Sequence, residues 1–311
     1  MGVVKVIFLG TAALAVPALR RLVGAGHTVS LVITQPDRPA GRGRALAESA
    51  VKIAAGELGL PILQPNRASI EALDPIREIG PDVIVVAAYG EMLSRGLLAI
   101  APAGGVNVHP SLLPRLRGAT PVPTAILRGD SESGVTVIRV TPMMDAGPVL
   151  GQVVEPVNHE DTAETLMSRL AIIGADLLID VLRHADRGTL APRQQDHLLA
   201  TYTRQFTRED GRADWSLPSV DLWRAWRAFQ PWPGLWTTWN GRVVKFHGVW
   251  PLLARGGREA GVFDERSGVA AVGCGIGALR IDRVQLEGRA IQPIADFLRG
   301  SGAIRGTRLG E

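Results

Sequence analysis

Two polar side chains end a short apolar run in this chain of 311 residues. The run is Val106-Asn107-Val108-His109, and Pro110 follows it. Residues two apart on a strand point to the same face, so Asn107 and His109 are predicted to project together. Because proline cannot continue the hydrogen-bond ladder of a strand, both groups should lie at a strand end, where open α/β sheets bind ligands. An amide and a protonated imidazole are N–H donors suited to a carbonyl oxygen that gains negative charge.

Asp145, in the turn Asp145-Ala146-Gly147, is the acidic side chain that we expect beside His109. A carboxylate in that place would orient the ring and could relay a proton from an attacking amine through water. Spacing alone leaves a second interpretation open, in which the strand end is merely polar and the histidine is hydrogen-bonded for structural reasons.

The same residues carry a resemblance to a known family. Asn107-x-His109, then Ser111-Leu112-Leu113-Pro114, then Asp145-x-Gly147 resembles the signature of the 10-formyltetrahydrofolate-dependent formyltransferases. The resemblance implies that 10-formyltetrahydrofolate is the co-substrate and that the catalytic residues are Asn107, His109 and Asp145. The other five histidines are scattered without the spacing of metal ligands, so no metal site is predicted. It places the folate site at Ser111, Leu112, Leu113 and Pro114. Pro110 departs from the pattern, since glycine usually follows the histidine and proline offers no backbone N–H.

A second motif, TQPDRPAGRGR at residues 34–44, is a loop punctuated by glycine and proline. Its arginines are spaced to reach phosphates or base edges: Arg38, Arg42 and Arg44. The motif resembles the loop that the tRNA-modifying members of the same family insert into the acceptor end of tRNA. Without that resemblance, a solvated flexible loop is the default interpretation.

The resemblance extends over nearly the whole chain. Asp214-Trp215-Ser216 and Phe229-Gln230-Pro231-Trp232-Pro233-Gly234 resemble the carboxyl-terminal domain of those tRNA-modifying members. It therefore implies transfer of a formyl group from 10-formyltetrahydrofolate to the α-amino group of methionine on initiator tRNA, in support of translation initiation. Two other functions stay open at this point: formylation of a nucleotide sugar or purine precursor, and a non-catalytic RNA-binding module that retains folate.

The elements that must position these residues alternate between strand and helix patterns. Residues 3–9, 28–34, 83–88 and 106–109 are short apolar runs, and a helical pattern at residues 13–24 separates the first two. Runs that are apolar on both faces are typical of parallel strands covered by helices. We therefore predict an α/β fold with a doubly wound, mostly parallel, Rossmann-like sheet. Strands at 134–140 and 149–157 and a long helix ending at Gly188 follow.

The last third of the chain has a different character. We predict a formyltransferase catalytic domain at residues 1–188, a linker at 189–208, and a smaller, mostly β, open-barrel tRNA-binding domain at 209–311. All seven tryptophans lie between Trp215 and Trp250, and a core role is favoured over base stacking. Residues 201–311 contain 16 Lys and Arg against 11 Asp and Glu, whereas residues 1–200 contain 18 against 19. This surplus fits contact with a polyanion such as tRNA, or simply a solvated, arginine-rich surface.

Cysteine content and hydropathy indicate in which cellular compartment the protein is expected. The single Cys274 permits no internal disulfide and fits a reducing compartment, so we expect a cytoplasmic protein. Residues 5–15 imitate a signal peptide, but they are also typical of a buried first strand entering a turn. No apolar run is long enough to span a bilayer, and we expect no membrane role and no obligate protein partner.

Overall fold

The structure is a computed structural model, and it describes residues 2–40, 45–254 and 257–310. Two compact units divide the chain. The first comprises Met1–Pro121, Glu132–Pro156 and Leu166–Thr203, and the second comprises Val122–Ser131, Val157–Thr165 and Arg204–Glu311. Most of the segment predicted as a linker therefore packs into the first unit. The domain limits inferred from the sequence stay a prediction.

The first unit contains eleven strands and five complete helices among the described residues, together with parts of two more helices. The strands are β1 (Lys5–Gly10), β2 (Thr28–Ile33), β3 (Arg38–Ala40), β4 (Ala45–Ala47), β5 (Ile62–Leu63), β6 (Val83–Ala87), β7 (Gly105–His109), β8 (Arg117–Gly118), β9 (Glu132–Arg139), β10 (Val149–Pro156) and β11 (Tyr202–Thr203). The helices are α1 (Val16–Gly24), α2 (Ala50–Glu57), α3 (Ala68–Glu71), α4 (Leu73–Ile79), α5 (Arg95–Leu98), α6 (Pro121–Arg128) and α7 (Ala163–Asp186). Helices α6 and α7 each have residues in both units.

Seven of these strands form one sheet in the order β10-β9-β7-β6-β1-β2-β5. The pairs from β7 to β5 are parallel, and β9 runs antiparallel to both β7 and β10. The central strands are apolar and buried over almost their whole length, as expected for strands covered on both faces. The predicted doubly wound, mostly parallel sheet is confirmed, and β7 lies next to the point where the direction changes.

Local signals explain where several helices begin and end. The N-cap residue of α2 is Ser49, whose hydroxyl accepts a hydrogen bond from the Lys52 amide at 3.0 Å. Helix α4 ends at Gly80, which adopts the left-handed conformation with φ at 60°. Helix α1 carries its proline in the first turn, where the missing N–H costs nothing.

The second unit is mostly β, as predicted. Its strands are β12 (Leu235–Trp239), β13 (Arg242–Leu252), β14 (Phe263–Arg266), β15 (Val269–Gly273), β16 (Ala278–Leu286) and β17 (Gln292–Pro293), and its own helices are α8 (Ser219–Ala228) and α9 (Ile294–Gly300). The sheet order is β12-β13-β16-β15-β14, and β17 pairs with β16. Trp215 and Trp223 lie in the core of this unit, and Trp226, Trp239 and Trp250 pack against it. Most of the tryptophans are thus core residues, whereas Trp232 is 58% exposed.

Candidate active site

Strand β7 carries Asn107 and His109 to the carboxyl end of the sheet. Asn107 lies between Val86 of β6 and Ile138 of β9, and His109 lies opposite Thr136 of β9. Asn107 is half-buried and His109 is buried. Because the strand period is two, both side chains project to the same face, and both of them reach the Asp145 carboxylate.

Asp145 is the centre of the site. Its Oδ1 atom lies 3.4 Å from Asn107 Nδ2, and its Oδ2 atom lies 3.6 Å from His109 Nδ1. The amide of Gly118 donates a hydrogen bond to Oδ2 at 2.9 Å. The structure therefore brings together the three residues that the sequence motif singled out, and it adds a backbone donor from β8.

The turn that presents Asp145 has an unusual backbone. Asp145 adopts a positive φ of 48°, a region that aspartate enters more readily than most residues. Gln195 Nε2 donates to the carbonyl oxygens of Asp145 at 2.8 Å and of Gly147 at 2.7 Å. At Gly147 a β-carbon would collide with the carbonyl oxygen of Arg139. Only glycine fits there, so the Asp-x-Gly part of the motif has a steric cause.

Both ring nitrogens of His109 face oxygen atoms of the protein. Nδ1 faces the Asp145 carboxylate, and Nε2 lies 3.1 Å from the carbonyl oxygen of Leu116. Since each ring nitrogen carries at most one hydrogen, only the doubly protonated imidazole donates to both oxygens. A direct donation from His109 to a substrate oxygen requires that Nε2 leave, or share, the Leu116 carbonyl. Asn107 has two N–H donors, of which one is directed at Asp145.

Hydrogen bonds from the side chains of Thr136 and Gln152 hold the loop that is predicted to line the folate site. Thr136 Oγ1 donates to the carbonyl oxygen of Ser111 at 2.6 Å and accepts from the Leu113 amide at 3.2 Å. Gln152 Nε2 donates to Thr136 Oγ1 and to the Leu113 carbonyl oxygen. The side chains of Ser111 and Leu113 are buried, whereas Leu112 and Pro114 are half-buried. The last two therefore present the more accessible side chains of this loop.

The turn after His109 accommodates the unusual proline. The Ser111 amide donates to the carbonyl oxygen of His109 at 2.9 Å, which encloses Pro110 in a three-residue turn. The central residue of an inverse γ-turn has φ near −75°, and the proline ring fixes φ close to that value. Proline is thus compatible with the local backbone.

The basic motif begins in a short hairpin. Arg38 starts β3 and pairs with Ala47 of β4. The preceding Asp37 accepts hydrogen bonds from Lys52 Nζ at 2.6 Å and from Gln64 Nε2 at 2.8 Å, and these bonds hold the pKa of Asp37 below its ordinary value. Arg42 and Arg44 lie outside the described residues.

Three groups at the site were not among the residues predicted from the sequence. The Gly118 amide, the Arg117 guanidinium and the Gln195 amide all support the Asp145 turn or its neighbours. Gly118 carried one signal in the sequence, its residue type, because glycine often marks a backbone with positive φ. In the structure its φ is 104°. Gln195 falls in the segment interpreted as a linker, where residue type alone carries no spatial information.

Within residues 2–40, 45–254 and 257–310, no group of three or more His, Cys, Asp or Glu side chains could hold a metal ion. None of the helices in these ranges combines the length and hydropathy that a membrane span requires.

Comparison with known proteins places this site in a family context. Residues 4–182 match the sequence family described as "Formyl transferase", and residues 205–302 match "Formyl transferase, C-terminal domain". The chain is 44% identical over 313 residues to a protein of Roseiflexus sp. (strain RS-1) named methionyl-tRNA formyltransferase, covering 99% of this chain and 95% of that protein.

Solved structures share the fold at lower identity. HypX from Aquifex aeolicus, in complex with tetrahydrofolic acid, matches 96% of the chain with a TM-score of 0.67 at 17% identity, and the chain spans 47% of that longer protein. An N-formyltransferase from Helicobacter canadensis, in complex with folinic acid and dTDP-3-aminofucose, matches 90% of the chain and 98% of its own length, with a TM-score of 0.67 at 19% identity.

Proposed function

The chain belongs to the formyl transferase family, and we propose that it transfers the formyl group of 10-formyltetrahydrofolate to the α-amino group of methionine on initiator tRNA. The name of the Roseiflexus relative, which is similar over almost the whole chain, supports this substrate. The match at residues 205–302 to the family's carboxyl-terminal domain also supports it. Such a role in translation initiation belongs in the cytoplasm.

The chemistry follows from what the residues of this chain can do. The amine forms a bond to the formyl carbon, and the bond from that carbon to N10 of the folate breaks. The attacking nitrogen loses a proton and N10 gains one, so tetrahydrofolate leaves as the neutral amine. Negative charge builds on the formyl oxygen during the attack. Fixed N–H donors aimed at such an oxygen stabilise the transition state, and Asn107 supplies one with the hydrogen not directed at Asp145.

His109 and Asp145 have complementary roles in this proposal. The protonated imidazole is the second donor to the oxygen once Nε2 turns from the Leu116 carbonyl. Asp145 orients the ring through Nδ1 and the amide through Nδ2, and its carboxylate is the base that takes up the proton of the amine through water. Leu112 and Pro114 are the proposed folate contacts with accessible side chains, and Ser111 and Leu113 hold the loop.

The single observation that carries the proposal is the convergence of Asn107 and His109 on Asp145 at the carboxyl end of β7. Open α/β sheets bind ligands at that edge. The predicted tRNA contacts are Arg38, Arg42 and Arg44, together with residues 209–311 as the tRNA-binding domain. The cationic balance of residues 201–311 supports the second contact.

A single-turnover assay tests the function directly. Purified protein is mixed with 10-formyltetrahydrofolate and methionyl initiator tRNA, and formyl-methionine is quantified after hydrolysis of the tRNA. Parallel reactions contain an amino sugar nucleotide, an amine precursor of purines, or uncharged tRNA. We expect rapid transfer only with the charged initiator. Faster transfer to either small amine, or binding of tRNA without any transfer, would overturn the proposal.

A further inference from the structure

Arg117 is the largest fully buried side chain in the described part of the chain, with 1% of its surface exposed. Arginine is almost never fully buried unless it is paired. Its guanidinium faces three side chains: Gln195 Oε1 lies 2.7 Å from Nη2, the Tyr202 hydroxyl lies 3.2 Å from Nη1, and His197 Nδ1 lies 3.1 Å from Nη2. The Nε atom also donates to Gln195 Oε1, at 3.2 Å. Gln195 is therefore the principal acceptor of a buried positive charge.

This contact fixes the orientation of the Gln195 amide. A guanidinium has only donors, so the oxygen of the amide must face Arg117 and the nitrogen must face away from it. The nitrogen then directs its two hydrogens to the carbonyl oxygens of Asp145 and Gly147. The flipped amide would place its N–H groups against the guanidinium and its oxygen against two carbonyls. The arginine thereby determines which end of Gln195 meets the Asp145 turn.

The same strand also holds the carboxylate of Asp145. Gly118, which follows Arg117 in β8, donates its amide to Oδ2 at 2.9 Å. Asp145 is thus held twice, through its side chain by Gly118 and through its backbone by Gln195. Most residues avoid the positive φ that Asp145 adopts. The hydrogen bonds from Gln195 and Gly118 therefore stabilise a backbone conformation that is unfavourable by itself.

We infer that Gln195 is a positioning residue for formyl transfer, which acts by holding Asp145 against His109 and Asn107. The inference rests on the proposed function and extends it to a residue outside the signature motif. Arg117 orients Gln195, Gln195 holds the turn, and the turn presents the carboxylate. A displacement of about 1 Å in such a constellation can cost about 10²-fold in rate.

Two substitutions at Gln195 isolate this role. Gln195→Glu keeps an oxygen for Arg117 and adds a charge, whereas Gln195→Met adds no charge and keeps a similar length. The change common to both is the loss of the two N–H donors to the turn. The matched control is Tyr202→Phe, which removes another acceptor of Arg117 without touching Asp145.

We expect kcat to fall about 10- to 100-fold in both Gln195 variants. KM for folate and KM for tRNA should stay within about twofold of wild type in these variants. In Tyr202→Phe, kcat and both KM values should stay within about twofold of wild type. Rates are expressed per folded molecule, with folding checked by circular dichroism and thermal melting. Unchanged kcat in a folded Gln195 variant would overturn the inference. So would a loss in Asp145→Asn/Gln195→Glu that equals the product of the two single losses, because residues acting through one group are not independent.

A measurement without substrate separates this inference from the proposed function. The NMR chemical shifts of the His109 ring, recorded at a single pH, should differ from wild type in Gln195→Met and be unchanged in Tyr202→Phe, because only the first substitution alters how Asp145 faces the ring. Wild-type protein that fails to formylate methionyl-tRNA would overturn the proposed function, and the ring chemical shifts would still decide whether Gln195 positions Asp145 against the ring. Unchanged ring chemical shifts in folded Gln195→Met would overturn the positioning role.

Discussion

The carboxylate of Asp145 lies 3.6 Å from Nδ1 of His109, and its other oxygen reaches Asn107. One acid therefore contacts both of the side chains that β7 presents. This relationship makes Asp145 the residue on which the geometry of the site depends, and it motivates the first prediction.

Asp145→Asn keeps the size of the side chain and an oxygen for the Gly118 amide, but it removes the negative charge that faces His109. We expect kcat to fall about 10²-fold or more, in the range of general acid–base contributions, with the fold retained. Steady-state kinetics with methionyl-tRNA and a thermal melt test this. The matched control is Asp74→Asn, an exposed acid on α4, which should leave kcat at the wild-type value.

Asn107→Ala removes the N–H donor that we propose for the formyl oxygen. The loss of one such donor typically costs about 10²–10³ in kcat, or about 2.7–4 kcal/mol of transition-state stabilisation. Because Asn107 is half-buried, the variant should fold. Single-turnover rates at saturating folate are the measurement, and wild-type turnover would contradict the assigned role.

Arg42→Ala tests the motif at residues 34–44. If this arginine contacts tRNA, KM for tRNA should rise and KM for folate should stay constant. The effect should weaken at high salt, because phosphate contacts are screened. Arg20→Ala, on the exposed surface of α1, is the control. Identical kinetics of Arg42→Ala and wild type with tRNA would remove the loop from the proposal.

Lys52→Met tests the base of the same hairpin. Lys52 pairs with Asp37 and with Glu48, at 2.6 and 2.9 Å, and these bonds raise the pKa of Lys52. Without them the start of β3 loses an anchor, so we expect KM for tRNA to rise several-fold while kcat and KM for folate change little. Lys52→Arg keeps the charge and should behave nearly as wild type. An equal rise in both KM values would point to general damage.

Asp210→Asn tests a stability contribution in the second unit. Arg204 and Thr207 hydrogen-bond to the Asp210 carboxylate and lower its pKa well below the ordinary value. A lowered pKa stabilises the fold above the unfolded value, about 3.9, and the contribution is lost as pH falls. Because Arg204 is largely exposed, we expect a loss of roughly 1 kcal/mol at pH 7.

Urea unfolding at several pH values provides the measurement for Asp210→Asn. The difference between wild type and variant should be largest near neutral pH. It should shrink below about pH 4, because the Asp210 carboxylate of the unfolded chain then takes up a proton while that of the folded chain, with its lowered pKa, stays ionised. A difference that does not depend on pH would show that the carboxylate charge is not its cause.

The amino-acid sequence by itself determined the six longest strands of the first unit, and it determined that Asn107 and His109 share a face. Both follow from local rules: buried parallel strands are apolar throughout, and strand side chains alternate with a period of two. The end of β7 was predictable from Pro110, because proline has no backbone N–H to continue the ladder of hydrogen bonds.

Only the tertiary structure decided what surrounds Asp145. The carboxylate meets Asn107 across 38 residues of chain, and Gln195 reaches the same turn across 50. Such contacts depend on how loops close over the sheet, which local periodicity does not encode. The interpretation of residues 189–208 as a linker illustrates the point, because polar residues without periodicity can still be held by a partner such as the buried Arg117. Residue types supplied the chemistry, and long-range packing decided which groups orient it.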